Sequence, residues 1–315
     1  MMLSISRIYV TAEELSAKGL IIRGVRNREA IIIGNPKAGR ARRKEVLTRC
    51  AGILFSGGFD VEVWPTEHPR HATELATLAG ARLVVAAGGD GTVNEIVNGL
   101  TKDATLGVLP LGTANVLARE LGLPLKVEEA CERILADKES RIDVGIATDR
   151  EGVERRFTCM AGMGFDAHVV NEVTPRLKRY LKILAFPLAA FKVYLERDLP
   201  TLRLIHGDAT YLTQFAIVAN GRYYGGDFRV AEAASLTTGK LEVVLVDRVG
   251  KLLRADVLAR ILAKKPLDRS MRSFAAEELH AESPGGRAPV QLDGEIWGYL
   301  PMSFRIEPAA LKVVR

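Results

Sequence analysis

Three times within residues 28–146, a short apolar run stops at a glycine-bearing loop and gives way to a helical stretch. The runs are 30–33, 83–87 and 106–109. The loops are Gly34-Asn35-Pro36-Lys37-Ala38-Gly39, Gly88-Gly89-Asp90-Gly91-Thr92 and Leu111-Gly112-Thr113-Ala114-Asn115. The helical stretches cover 42–52, 93–98 and 114–121. A strand that is apolar without alternation is buried on both faces, and intervening helices supply the cover. The pattern therefore predicts a mostly parallel α/β sheet. A strand at 60–63, helices at 70–78 and 128–136, and a strand at 141–146 extend it.

After residue 147 the alternation ends. Strand candidates at 157–160, 201–205, 210–219, 241–246, 272–279 and 304–306 follow with few helices between them, at 175–195 and 252–263. The chain is read as an α/β domain over 28–147 and a β-rich domain over 148–315, with a return of the C-terminal segment to the first domain left open. At 315 residues, 48% hydrophobic and 26% charged, it can bury two cores, which excludes a largely disordered protein. Three widely spaced cysteines exclude a disulfide scaffold and a thiolate zinc site, and fit a reducing compartment. The longest uncharged apolar stretch, 183–191, is far short of the ~20 residues of a spanning helix. No signal peptide is legible at the N-terminus, so the expected location is the cytoplasm.

Each glycine loop offers the same chemistry. Glycine lets the backbone approach a ligand closely, and the N–H groups opening the next helix can receive phosphate. In the first loop Asn35, Pro36, Lys37 and Gly39 are candidates, with Arg40, Arg42 and Arg43 adding positive charge. It lacks the ending of a Walker A loop and is not a dinucleotide-binding G-x-G-x-x-G. In the second, Gly88, Gly89, Gly91 and Thr92 form the cradle, and Asp90 is placed to meet Mg²⁺ carried on phosphates. Thr92 and Glu95 have capping-box spacing, which predicts a helix starting at Thr92. In the third, Gly112 turns the chain, Thr113 caps the helix and Asn115 faces a nucleotide. An ordinary βα turn explains any one loop alone. Three at successive strand ends point to one nucleotide crevice.

Far downstream lies Leu292-Asp293-Gly294-Glu295. Asp-Gly is also a hairpin signal. Phosphoryl transfer to an alcohol needs a group that takes or orients the hydroxyl proton. Asp90 and Glu295, assisted by Asp293, divide that labour if the two domains close on each other.

Taken together, the stretches Gly34–Gly39 (GNPKAG), Gly88–Thr92 (GGDGT), Pro110–Asn115 (PLGTAN), Asn220–Gly226 (NGRYYGG) and Leu292–Glu295 (LDGE) resemble the diacylglycerol kinase catalytic-domain superfamily. The likeness is to its bacterial lipid kinase branch, related to soluble diacylglycerol kinases and sphingosine kinases, and runs from about residue 29 to the end. It implies a nucleotide-binding α/β domain, a β-sandwich-like second domain and an active site in the cleft between them. It implies ATP and Mg²⁺ as cofactors, and a lipid alcohol, first of all diacylglycerol, as acceptor. Carried over, Gly88–Thr92 holds the triphosphate, Asp90 is the loop aspartate and Glu295 the proposed base. Asn35 and Thr66 lie on the nucleotide side, and Asp166 is a candidate for the acceptor head group.

The chain departs from the pattern twice. Val116 stands where Gly-Thr-x-Asn-Asp has its acidic residue. Thr237 and Thr238 replace a pair of aspartates that helps hold a structural Mg²⁺ in many bacterial relatives, and hydroxyls are poor substitutes for carboxylates around a hard cation. The net charge of +6 suits anionic partners. The basic segment 174–197 reads either as a peripheral membrane contact or as a solvated helix face. His68, His71, His168, His206 and His280 form no metal-ligand pattern, and nothing indicates nucleic acid. No coiled-coil repeat decides between monomer and homodimer. Competing readings are a kinase for sphingoid or other lipids, an NAD kinase-like enzyme, and a non-catalytic nucleotide-binding regulator.

Overall fold

The run Ile31-Ile32-Ile33 is wholly buried, as a strand covered on both faces must be. The computed structural model describes residues 8–9, 28–35, 41–172, 199–246 and 271–315. Pro36, Lys37, Gly39, Arg40, the segment 174–197 and the expected helices at 175–195 and 252–263 lie outside the described residues. By their internal contacts the described residues form two units. One holds those up to Ile142 together with Ala310–Arg315, and the other Asp143–Ala309.

In the first unit β2 (Arg28–Gly34), β3 (Phe59–Pro65), β4 (Leu83–Gly88) and β5 (Thr105–Pro110) pair in parallel, in the order β3-β2-β4-β5. The two-residue β1 (Ile8–Tyr9) adds an antiparallel edge to β3. The end of β19 (Met302–Val314) pairs in parallel with β5 through Lys312 and Val313. The helices are α1 (Ala41–Ser56), α2 (His71–Ala79), α3 (Asp90–Gly99), α4 (Val116–Glu120) and α5 (Val127–Ala136). Leu47, Leu54 and Phe55 of α1 and Ala130 and Ile134 of α5 pack with Ile32, Val61, Val85 and Leu109 of the sheet. The strand order reverses direction between β2 and β4, and open α/β sheets bind ligands beyond the carboxyl ends of strands at such a switch.

The second unit is a sandwich of antiparallel strands. One sheet runs β15 (Met271–Ala276), β14 (Leu241–Val246), β11 (Phe215–Ala219), β8 (Met160–Gly164), β17 (Pro289–Leu292), β18 (Glu295–Tyr299). The other joins the start of β19 to β16 (Glu278–Glu282), β9 (Leu202–His206) and β10 (Ala209–Thr213), while β6 (Glu139–Asp149) pairs with β19 and β7 (Glu154–Phe157). Alternate residues of both sheets meet in one core, with Met163, Val218, Val243 and Leu292 from the first and Leu204, Leu279 and Phe304 from the second. Ile217, Ala219 and Val244 face the other way, into a smaller core with Ala231 and Ala234, against which Tyr224 of β12 (Tyr223–Tyr224) and Phe228 of β13 (Phe228–Arg229) pack. Strands β11 and β14 are thus buried on both faces.

Three of the expected strands differ from those observed. Residues 210–219 form two strands, since β10 ends at Thr213 in one sheet and β11 starts at Phe215 in the other. The Thr213 hydroxyl marks the corner by donating to the Val246 and Phe215 carbonyls. Residues 272–279 split likewise at Glu277. Residues 157–160 are the end of β7, a two-residue connection at Thr158 and Cys159, and the start of β8. Such corners, at Gln214 and at Glu277, pass the chain from one layer of the sandwich to the other.

Candidate active site

The three described loop regions lie side by side at the carboxyl ends of β2, β4 and β5. The Thr66 N–H, just after β3, donates to the Gly34 carbonyl at 2.9 Å, and the Leu111 N–H donates to the Gly88 carbonyl at 2.9 Å. Glycine permits this closeness. A Cβ on Gly112 would stand 2.4 Å from the Gly89 Cα and 2.7 Å from the Asn115 Oδ1, and one on Gly34 would stand 2.7 Å from the Ala87 carbonyl. Helix α3 starts at Asp90 with Gly89 as its N-cap, and no side chain caps it. Its first turn directs N–H groups and the positive end of the helix dipole out of a loop without side-chain bulk, which fits a phosphate.

Asp90 has a defined task in this arrangement. One carboxylate oxygen accepts the Val116 N–H at 2.6 Å, and the other accepts the Asn115 N–H at 3.0 Å. The second loop's acid therefore caps the helix that follows the third. Asn115, at φ +50°, closes its own loop by accepting from the Gly112 N–H at 2.9 Å and donating to the Gly112 carbonyl at 3.0 Å. Thr113 is exposed and does not cap α4, whose first residue is Val116. The Thr92–Glu95 capping box does not form either. Thr92 lies inside the first turn of α3, and Glu95 instead accepts the Ala72 N–H at 3.2 Å, serving the start of α2.

In the second unit, Asp293 and Gly294 form the two-residue turn between β17 and β18, both with positive φ (+49° and +88°), as an Asp-Gly hairpin requires. The Asp293 carboxylate reaches across to the β7–β8 connection. One oxygen accepts the Thr158 N–H at 2.7 Å and the Thr158 hydroxyl at 3.0 Å. The other accepts the Cys159 N–H at 2.9 Å and the Met160 N–H at 3.0 Å. The Gly294 N–H donates to the buried Gln291 side chain at 2.7 Å. Glu295 follows this clamp, half exposed, with the Arg155 guanidinium 3.7 Å from its carboxylate. From the other side Asn220, fully buried, donates to the Thr158 and Asp143 carbonyls at 2.8 Å each. Asp166 is in the first turn of α6 (Phe165–Glu172), a helix packed on β8, β17 and β18, and its side chain is not described.

The sequence reading missed Arg155, Thr158 and Gln291. Only the Asp-Gly dipeptide signals the hairpin, and nothing local announces which distant segment it docks on. Glu74 was missed as well. Its carboxylate lies with the ring nitrogens of His68 and His71 within 4.8 Å of one another. The His71 Nδ1 accepts the Glu67 N–H, which leaves the proton of a neutral ring on Nε2 and does not suit ligation there.

The region of Thr237 and Thr238 does not fit a structural Mg²⁺. The Gly239 N–H goes to one oxygen of buried Asp143 at 2.6 Å and the Ala309 N–H to the other at 2.8 Å. The Thr238 hydroxyl is turned to the Ser235 and Lys240 carbonyls. Protein groups close this turn themselves.

Comparison with known proteins gives the same two parts. Residues 29–147 match the family model "Diacylglycerol kinase catalytic domain", and residues 159–315 match "YegS C-terminal NAD kinase beta sandwich-like domain". A diacylglycerol kinase of Mycobacterium tuberculosis is 31% identical over 258 residues, 78% of this chain and 81% of that protein. This chain belongs to the diacylglycerol kinase catalytic-domain family. A probable YegS-like lipid kinase of Chromohalobacter salexigens is 32% identical over 82% of this chain and 81% of its own. A Bacillus anthracis crystal structure, described as a candidate diacylglycerol kinase, superposes with a TM-score of 0.76 at 25% identity, covering 91% of this chain and 97% of that one. Membership makes the chain an ATP-dependent phosphotransferase of the lipid and NAD kinase group, with an α/β domain followed by an antiparallel β-sandwich. No helix among the described residues is long and apolar enough to cross a membrane.

Proposed function

We propose that the chain transfers the γ-phosphoryl group of ATP to the hydroxyl of diacylglycerol, giving phosphatidic acid. The observation that carries the reading is the anchored hairpin. It presents one half-exposed carboxylate, Glu295, on a backbone fixed by four donors to its neighbour Asp293. Such a group is positioned to accept the proton of an alcohol. The choice of acceptor rests on the relatives of M. tuberculosis and Bacillus subtilis, both named diacylglycerol kinases, the second 28% identical over 88% of this chain and 93% of its own.

On the nucleotide side, Gly88, Gly89, Gly91 and Thr92 offer the start of α3 to phosphate. Gly112, Thr113 and Asn115 line the next loop. Asn35 and Thr66 stand at the ends of β2 and β3, with Pro36, Lys37 and Gly39 continuing the first loop. Glu95 acts at one remove, by holding α2 beside α3. Asp90 fixes the geometry between the second and third loops and would hold Mg²⁺. A carboxylate beside a loop that offers N–H groups to phosphate is a donor of the kind a hard cation takes. When bound, Mg²⁺ would neutralise charge on the phosphates. Asp293 is a positioning residue, and Asp166 is the candidate contact for the acceptor's polar end. The enzyme would work from the cytoplasm, docked on the inner membrane face where its acceptor resides.

Replacing Glu295 by Gln tests the assignment. General-base loss costs about 10²- to 10⁴-fold, so turnover on diacylglycerol should fall at least 100-fold with ATP binding and melting temperature kept. Unchanged turnover would remove Glu295 from the chemistry.

A further inference from the structure

We infer that Arg155 is the positioning residue of the Glu295 carboxylate, an inference that rests on the reading of Glu295 as the base. Arg155 lies on β7, and the segment directly after it, Thr158–Met160, is the platform that anchors Asp293. One short stretch of chain therefore holds both carboxylates, the first through backbone N–H groups and the second through a guanidinium. The Arg155 side chain is only 19% exposed. Seven other arginines that pair with carboxylates keep between 31% and 72% of their side chains exposed. A surface pair of two mobile side chains contributes little and fixes nothing. Here one partner is largely immobilised by burial, so the pair restricts the rotamers of the half-exposed Glu295. At 3.7 Å the contact is an ion pair that orients the carboxylate. A fixed, planar cation suits that task better than the flexible ammonium of lysine.

The test uses the full chain with ATP–Mg²⁺ and dioctanoylglycerol in mixed micelles, comparing the unmodified protein with R155M, R155K, E295Q and R155M/E295Q. For R155M the expected result is a loss in kcat of about 10- to 100-fold, a range drawn from the cost of misplacing a reacting group. Both KM values should stay within about twofold. R155K should recover part of the loss, and the double variant should be no slower than E295Q, because both changes act on one group. If R155M unfolds, R155K against E295Q still decides, through the same split between kcat and KM. Full kcat in R155M or R155K beside an inactive E295Q overturns the inference and leaves the base standing. A rise in the KM for ATP with kcat kept also overturns it. An active E295Q, or an unmodified protein that labels no lipid, removes the proposed function and the inference with it.

Discussion

Replacing Asp293 by Asn separates anchoring from chemistry, and its cost can be worked from four bonds. The carboxylate accepts three backbone N–H groups, of Thr158, Cys159 and Met160, and the Thr158 hydroxyl. An amide presents one carbonyl oxygen and one NH₂. Its better orientation keeps the oxygen toward Cys159 and Met160. The NH₂ then meets the Thr158 hydroxyl, which can turn to accept, and the Thr158 N–H, which cannot. Thr158 is only 2% exposed, so that N–H loses its partner away from water. An unsatisfied buried donor costs about 1–3 kcal/mol, and the surviving bonds weaken on losing the charge. The sum is about 3 kcal/mol, or roughly 6–12 °C in melting temperature for a domain of this size. Ala strands all three N–H groups and should cost about 5 kcal/mol or more by the same reckoning. Thermal and urea unfolding of the unliganded protein measure both, and hydrogen exchange at the amides of residues 158–160 localises the change. An Asp293→Asn protein as stable as the unmodified one, but inactive, would refute the argument. Asp293 would then be part of the chemistry and not of the scaffold.

Other consequences follow from the same geometry. Gly112→Ala puts a methyl group 2.4 Å from the Gly89 Cα, so the second and third loops must part, and the KM for ATP should rise about tenfold or more while that for the lipid holds. An unchanged KM would mean that the loop contact does not shape the nucleotide site. Asp90→Asn leaves one of the two N–H groups opening α4 facing an NH₂, for a loss of about 1–2 kcal/mol. Turnover should fall beyond what that loss explains, as read by unfolding and by initial rates at saturating ATP. The Cys50 thiol is pushed up by its hydrogen bond with Cys131 and by burial, and it stays protonated where an unfolded chain would ionise. The unfolded state binds fewer protons above about pH 8.5, so stability should decline as pH rises beyond that point. Urea titrations at pH 7 and pH 10 check this, and Cys50→Ser should reduce the difference.

The sequence was most informative where a local rule and the tertiary structure agree. Ile31-Ile32-Ile33 and Val84-Val85-Ala86 read as doubly buried strands because no neighbour alternates with them, and they are that. In the second unit the expected strands 210–219 and 272–279 each cross from one sheet to the other, at Gln214 and Glu277, and a polar residue there reads in sequence like any outward-facing position of one long strand. The capping box at Thr92 and Glu95 had the right spacing but lost to a tertiary partner, the start of α2. Asp90, Asp293 and Glu295 could be picked out from their glycine neighbours. Their partners could not, since Val116 offers only its backbone N–H and Thr158 its N–H and hydroxyl, and neither residue carries a signal that pairs it with a distant acid. Arg155 looks in sequence like any charged residue of an edge strand.

The central claim is transfer of phosphate to a lipid alcohol, and it is tested most directly by incubating the protein with γ-labelled ATP and Mg²⁺. The acceptors are a mixed-micelle panel of diacylglycerol, a sphingoid base, ceramide and phosphatidylglycerol, with NAD as a soluble control, and the products are separated. The account predicts label in phosphatidic acid and none in NADP. Label in NADP alone, or in no lipid at all while ATP still binds, would contradict it.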